Sequence, residues 1–265
     1  MSSRWGRAPR VRRPPACAPS DRYLLQRSPP RTRRPGPAGV LSFVHRAGGF
    51  RIPASPDAAR QSGRSHRLPY CRIVSQLSFF SAESVPPAVT DLTGVLAAAG
   101  QVVTAGNGAR ISVVVESVWR AAALADMIAA AGLQAEVTST EEGTPLVRTA
   151  VDARLAVVAG DWTRGAVKTV PARWLPGPRE LRAWTLAAGT PDADRYLLGL
   201  DPHAPDTHSP LASALMRVGI APTLIGTRGT HPALRIGGRR RLSRLVENVG
   251  EPPDGPEALE TWPRI

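Results

Sequence analysis

The stretch Leu92–Gly100, LTGVLAAAG, returns 89 residues later as Leu181–Gly189, LRAWTLAAG, and each copy is followed by the same order of strand-like and helix-like sequence. A chain that repeats a whole unit must fold that unit twice, which narrows the architectures open to it more than any single motif. In the first copy Ala88–Ala99 reads as a helix, with Thr90 or Asp91 as cap and Leu92, Val95, Leu96 and Ala99 as its apolar stripe. Gln101–Thr104 and Arg110–Glu116 flank Ala-Gly-Asn-Gly and predict a hairpin, with Ile111, Val113 and Val115 on one face and Arg110, Ser112, Val114 and Glu116 on the other. The Ala-rich run Trp119–Ala131 predicts a helix closed by Gly132. Gln134–Thr138 and Pro145–Val151 flank EEGT as a second hairpin, and Asp152–Ala159 predicts a third helix closed by Gly160.

The second copy follows the same plan. Helix Pro178–Ala188 ends at Gly189. Strand Arg195–Leu200 finds its hairpin partner either before it in TPDA or after it in DPHAPDT. Ser209 caps a helix over Pro210–Val218, ended by Gly219. Pro222–Gly226 and Ala233–Ile236 flank TRGTH, and helix Arg239–Val249 closes the unit. The helix-ending glycines pair at nearly constant offset: Gly100 with Gly189, Gly132 with Gly219, Gly160 with Gly250. The expected fold class is α+β, with two tandem αββαββα repeats at 86–160 and 178–252, a linker at 161–177 and a C-terminal tail at 253–265.

Charge separates the chain differently. Its formal net charge is +13, but residues 1–73 hold sixteen arginines against two acids, Asp21 and Asp57. Residues 74–265 hold 18 bases and 19 acids, so the basic excess says nothing about the repeats. The Arg/Pro/Ser/Gly-rich 1–73 segment offers little apolar material to offset ordering entropy and is expected to be a disordered tail. One lysine, Lys168, stands against 33 arginines. That bias, with abundant Ala, Gly and Pro, points to a GC-rich bacterial genome, in which such a tail can arise from a start codon assigned too far upstream. Cys17 and Cys71 lie outside the repeats, which leaves those without a disulfide or thiolate chemistry. No apolar run reaches the ~18 residues of a membrane span, and the expectation is a soluble cytoplasmic protein, nucleoid-associated if it binds DNA.

The doubled unit resembles the LAGLIDADG fold, and within it the WhiA-type regulators, whose N-terminal part is a degenerate homing-endonuclease domain. LTGVLAAAG and LRAWTLAAG carry the resemblance, with SPLASALMRVGIAPTLI and PALRIGGRRRLSRLVENVG, over about residues 86–252. It implies a pseudo-dimer, monomeric as a chain, whose two motif helices pack side by side through small residues: Gly94, Ala97 and Ala98 in one, Ala183 and Ala187 in the other. It also implies a place for one acid at the foot of each motif helix, where active nucleases bind metal ions. Those places are Ala99 and Ala188, so no catalytic residue, metal or cofactor is expected. The family's C-terminal helix-turn-helix has no counterpart before Ile265.

In relatives the sheets straddle duplex DNA. The candidate DNA contacts here are Arg110, Arg148, Arg195, Arg228 and Arg235 on or beside strands, with Lys168 and Arg173 in the linker. Glu116, Glu136, Glu141 and Glu142 share the region, so weak binding is expected. Arg239, Arg240 and Arg241, followed by Arg244, open the last predicted helix at the end that disfavours cations, which suggests an acidic partner or an ordinary solvated face. The segment 74–85 contains QLSFF. Its Gln76, Leu77, Phe79 and Phe80 resemble a short sliding-clamp-binding peptide, and equally fit a strand packed on the body. Asp201, His203, Asp206 and His208 are metal-capable types, but a Pro-rich loop lacks the fixed framework that zinc ligands need. The leading expectation is a non-catalytic DNA-associated or regulatory scaffold. The alternatives are a clamp-tethered replication or repair accessory and an enzyme of unknown type.

Overall fold

A computed structural model of the chain describes residues 81–227, 229 and 231–265. The tail at 1–73, the QLSFF residues and Arg228 lie outside the described residues.

Two four-stranded antiparallel sheets carry the fold. In the first half a 3-10 turn, Val89–Leu92, runs into the short α1, Thr93–Ala97. The expected helix is one continuous helical run whose first turn is 3-10, with the Asp91 carboxylate accepting the Ala88 amide at 2.9 Å at its start, and it ends at Ala97, two residues short of Ala99, because Ala98 is extended. Strands β1 (Gln101–Ala105) and β2 (Gly108–Val114), helix α2 (Val118–Ala130), strands β3 (Ala135–Ser139) and β4 (Pro145–Thr149) and helix α3 (Leu155–Trp162) follow. A two-stranded hairpin, β5 (Thr163–Arg164) and β6 (Val167–Lys168), sits in the linker where none was expected. The second half repeats the order as α4 (Pro178–Ala188), β7 (Gly189–Asp192), β8 (Arg195–Gly199), α5 (His208–Arg217), β9 (Thr223–Ile225), β10 (Ala233–Gly237) and α6 (Arg239–Val249). Helix α7 (Pro256–Thr261) lies in the expected tail. The strand orders are β1-β2-β4-β3 and β7-β8-β10-β9, the same topology twice. The fold is therefore α+β with tandem αββαββα units.

The open choice at the second hairpin resolves to the segment before β8, since β7 pairs with it from Asp192↔Arg195 to Gly189↔Leu198. Three helix bounds differ from expectation, each for a local reason. Asp152 is held in a bridge to Ala109, and its carboxylate bonds Arg154, so α3 starts only at Leu155. That helix runs through Gly160 because Trp162 is buried in the core. Helix α5 starts at His208, whose ring bonds the Asp201 carbonyl at 2.8 Å. Gly132 and Gly219 do end their helices, at φ +73° and +82°. In each case the following amide, Leu133 or Ile220, reaches back to a carbonyl of the last turn, Ile128 or Leu215.

One continuous core joins both halves. Its inner sheet faces follow the parity of the strands, with Val102↔Ile111 and Val113↔Val147 in the first, and Tyr196↔Ile236 and Leu198↔Leu234 in the second. At the centre α1 packs on α4. A Cβ at Gly94 would fall into the Glu180 carbonyl and stand 3.0 Å from the Ala183 methyl, so only glycine permits this approach. Ala97, Ala98 and Ala183 are buried beside it, and Ala187 is half-buried. A buried ion pair, Asp91 to Arg179 at 2.6 Å, ties the two helix starts together. Trp162 meets Trp174 edge to face and Trp174 meets Trp184 at a tilt, with centroids 5.1 and 6.3 Å apart, and the Trp174 indole donates to the Thr93 hydroxyl.

Candidate nucleic-acid interface

The two motif helices end together. Ala99, Ala187, Ala188 and Gly189 line one cleft of about 360 Å³ between the sheets. Each helix foot meets a cation rather than an acid. The Lys168 ammonium donates to the carbonyls of Ala98 (2.6 Å) and Gly100 (2.8 Å) at the end of α1, and to the Asp201 carboxylate at 3.0 Å. The Arg120 guanidinium donates to the carbonyls of Thr185 (2.9 Å), Leu186 (3.0 Å) and Gly189 at the end of α4. A helix C-terminus carries unsatisfied carbonyls and partial negative charge, which these cations neutralise.

Burial lowers the pKa of both cations, and each is partly restored by its neighbours, Lys168 by Asp201 and Arg120 by Tyr196 and Glu116. For Asp201 burial acts upward. The Lys168 charge and hydrogen bond, the His203 amide and the Gln101 amide outweigh it and hold the carboxyl below its ordinary value.

A divalent ion does not fit these feet. Alanine methyls offer no donor, Lys168 and Arg120 hold fixed positive charge there, and Asp201 is already committed to Lys168, Gln101 and His203. Glu116 is the one carboxylate lining the cleft, and it acts on Arg120. Among the described residues no three potential metal-ligating side chains stand together.

The outer faces of the sheets carry the remaining candidates in a repeated arrangement. Arg110 lies on β2, and Arg148 on β4 stands opposite Ser112, two residues further along β2. Arg195 lies on β8, and Arg235 on β10 stands opposite Leu197, two residues further along β8. Each sheet thus presents the same diagonal pair of arginines, which places their side chains within ~7–8 Å at the backbone. Arg110, Arg148 and Arg235 bond to nothing among the described residues, and Arg195 has only a 3.6 Å contact to the exposed Asp194. By contrast Arg120, Arg154, Lys168, Arg179, Arg182 and Arg217 are all tied to carbonyls or carboxylates. In the first sheet Arg148 also faces Glu136 across β3, where Arg235 faces Thr223 across β9.

Of the other candidates, Lys168 is turned inward as described, and Arg173 is exposed in the loop after β6. Arg239, Arg240 and Arg241 are exposed on the first turn of α6. Sequence reasoning passed over Arg120, although the signal was present: positions 120, 124, 127 and 128 form the buried stripe of α2, which places a charge on an apolar face.

No family model matches the chain, and no curated protein matches it. Solved structures do. The homing endonuclease I-WcaI bound to its DNA recognition sequence is similar at 10% identity and TM-score 0.45, over 60% of this chain and 78% of that one. The N-terminal LAGLIDADG domain of WhiA is similar at 14% identity and TM-score 0.42, over 61% and 82%. Full-length WhiA from Thermatoga maritima is similar at 14% identity and TM-score 0.45, over 61% of this chain and 54% of that one.

Proposed function

We propose that this protein holds duplex DNA across the outer faces of its two sheets without cutting it. The observation that carries the reading is the repeated diagonal pair, Arg110 with Arg148 and Arg195 with Arg235, left without firm partners in a chain that ties up most of its other described basic side chains. Guanidinium groups in such a pattern suit backbone phosphates and guanine edges. Glu136 and the near-zero net charge of residues 74–265 make the contact a weak one. The absence of cutting rests on alanine at both helix feet and on the two cations, Lys168 and Arg120, bonded to the carbonyls there.

The test is duplex affinity of the full chain across a salt series, wild type against R110A/R148A/R195A/R235A. The arginines of residues 1–73 are common to both proteins, so the difference reports the sheets alone. A log–log slope shallower by roughly 3–4 in the variant, about 0.9 per lost phosphate contact, supports the reading. Equal slopes contradict it.

A further inference from the structure

The two halves share a topology but not a charge. Residues 86–160 carry four bases and seven acids, whereas residues 178–252 carry ten bases and seven acids. Half of the difference lies where the last helix of each unit begins. In the first half Asp152 and Arg154 satisfy each other there through side-chain contacts of 2.9 and 3.0 Å, and Arg154 also reaches the Gly132 carbonyl. Arg154 holds the Asp152 carboxyl down to about 2. In the second half the matching place is Gly238 followed by Arg239, Arg240 and Arg241, with no acid in the first turn.

Three cations at the positive end of a helix dipole repel it and one another, an arrangement that an external anion relieves. Arg239 and Arg240 bond to nothing among the described residues, and Arg241 reaches only the Gly237 carbonyl at 3.5 Å. A second element converges on the same spot. The aliphatic stem of Arg195 lies over Gly237, its Cγ 3.4 Å from where a Cβ would be. Arg195, Arg239 and Arg264 then line one cleft of about 580 Å³ together with Leu242, Trp262, the acid Asp194 and the C-terminal Ile265.

We infer that this arginine cluster of the second half is a phosphate clamp that anchors duplex DNA asymmetrically, a grip the first half lacks. The inference rests on the DNA reading above and adds to it which half bears the main contact. The partner it fits is the duplex phosphate backbone continuing past β10 from Arg195 and Arg235.

The experiment compares full-length wild type, R239S/R240S/R241S and R154S by duplex affinity over a salt series, with thermal unfolding as a check on folding. The clamp predicts a slope shallower by roughly 2–3 in the triple variant and unchanged in R154S, with the unfolding midpoint of the triple variant unchanged or raised. Salt-dependent binding that depends on the four sheet arginines but has the same slope in the triple variant overturns the clamp and leaves the DNA reading standing. A wild-type salt slope that is unchanged both in the triple variant and in R110A/R148A/R195A/R235A overturns both.

Discussion

The ammonium of Lys168 stands 3.0 Å from the Asp201 carboxylate, and the pair seals the end of a helix that belongs to neither residue. Both side chains are almost fully buried, at 9% and 2% exposure, so the pair cannot be opened without leaving a charge in the core. Replacing Lys168 with Met is expected to cost about 3–5 kcal/mol, the usual penalty for orphaning one member of a buried pair. Chemical denaturation of wild type, K168M, D201L and the double variant checks this. The double variant should recover much of the loss, and a strictly additive cycle would contradict the coupling.

The same pair sets a pH signature. A carboxyl held below its ordinary value contributes stability above about pH 3.9, lost as pH falls through the lower folded value. In K168M the ammonium is gone while burial and the bonds from the His203 and Gln101 amides remain, so the Asp201 pKa rises above its wild-type folded value. The stability gap between wild type and K168M should therefore narrow as pH falls through that raised value towards the lower wild-type one. Denaturation midpoints at each pH measure it, and a gap independent of pH would contradict the assignment.

Gly94 gives a test in which two effects oppose. Alanine in a helix is ordinarily about 1 kcal/mol better than glycine. Here its Cβ would strike the Glu180 carbonyl and the Ala183 methyl. Overpacking of this kind costs about 1–3 kcal/mol or more, because α1 and α4 would have to separate. G94A is expected to be destabilised by about 2 kcal/mol net in urea unfolding, and a stabilised G94A would show that the helices do not meet there.

Placing acids at the helix feet should not confer cleavage. A99D/A188D places carboxylates at both helix feet but leaves Lys168 and Arg120 bonded to the terminal carbonyls. Those cations pair with the new acids and keep a divalent ion out. Plasmid nicking assays with Mg²⁺ or Mn²⁺ are expected to show no cleavage above background, whereas metal-dependent nicking would show that the cations do not close the site.

Much of the fold could be read from the chain because its signals were local and doubled. The alternation Ile111, Val113, Val115 placed the inner face of β2 correctly, and Gly132 and Gly219 ended their helices through the left-handed conformation that glycine favours. What escaped had non-local causes. Strand β7 is a short edge strand containing Pro191, paired only through β8, and has no pattern of its own. Gly160 looked like a helix end, but Trp162 two residues on belongs to the core and carries α3 past it. The segment 253–265 was expected only as a tail with no element assigned, yet Trp262 is buried, its indole donates to the Gly250 carbonyl and its ring lies under the Arg182 guanidinium. At the site, the outward arginines were visible as single residues, but their matched diagonal placement needed the register. Lys168 sits on a two-residue strand, and its carboxylate partner lies 33 positions away, a distance no periodicity spans.

The most direct test of the central claim is a hydroxyl-radical footprint of the full chain on duplex DNA, wild type against R110A/R148A/R195A/R235A. The account predicts backbone protection on one face of the duplex in the wild type and its loss in the variant, whose residues 1–73 are unchanged. Protection that persists unaltered in the variant would mean that the sheets do not hold the duplex.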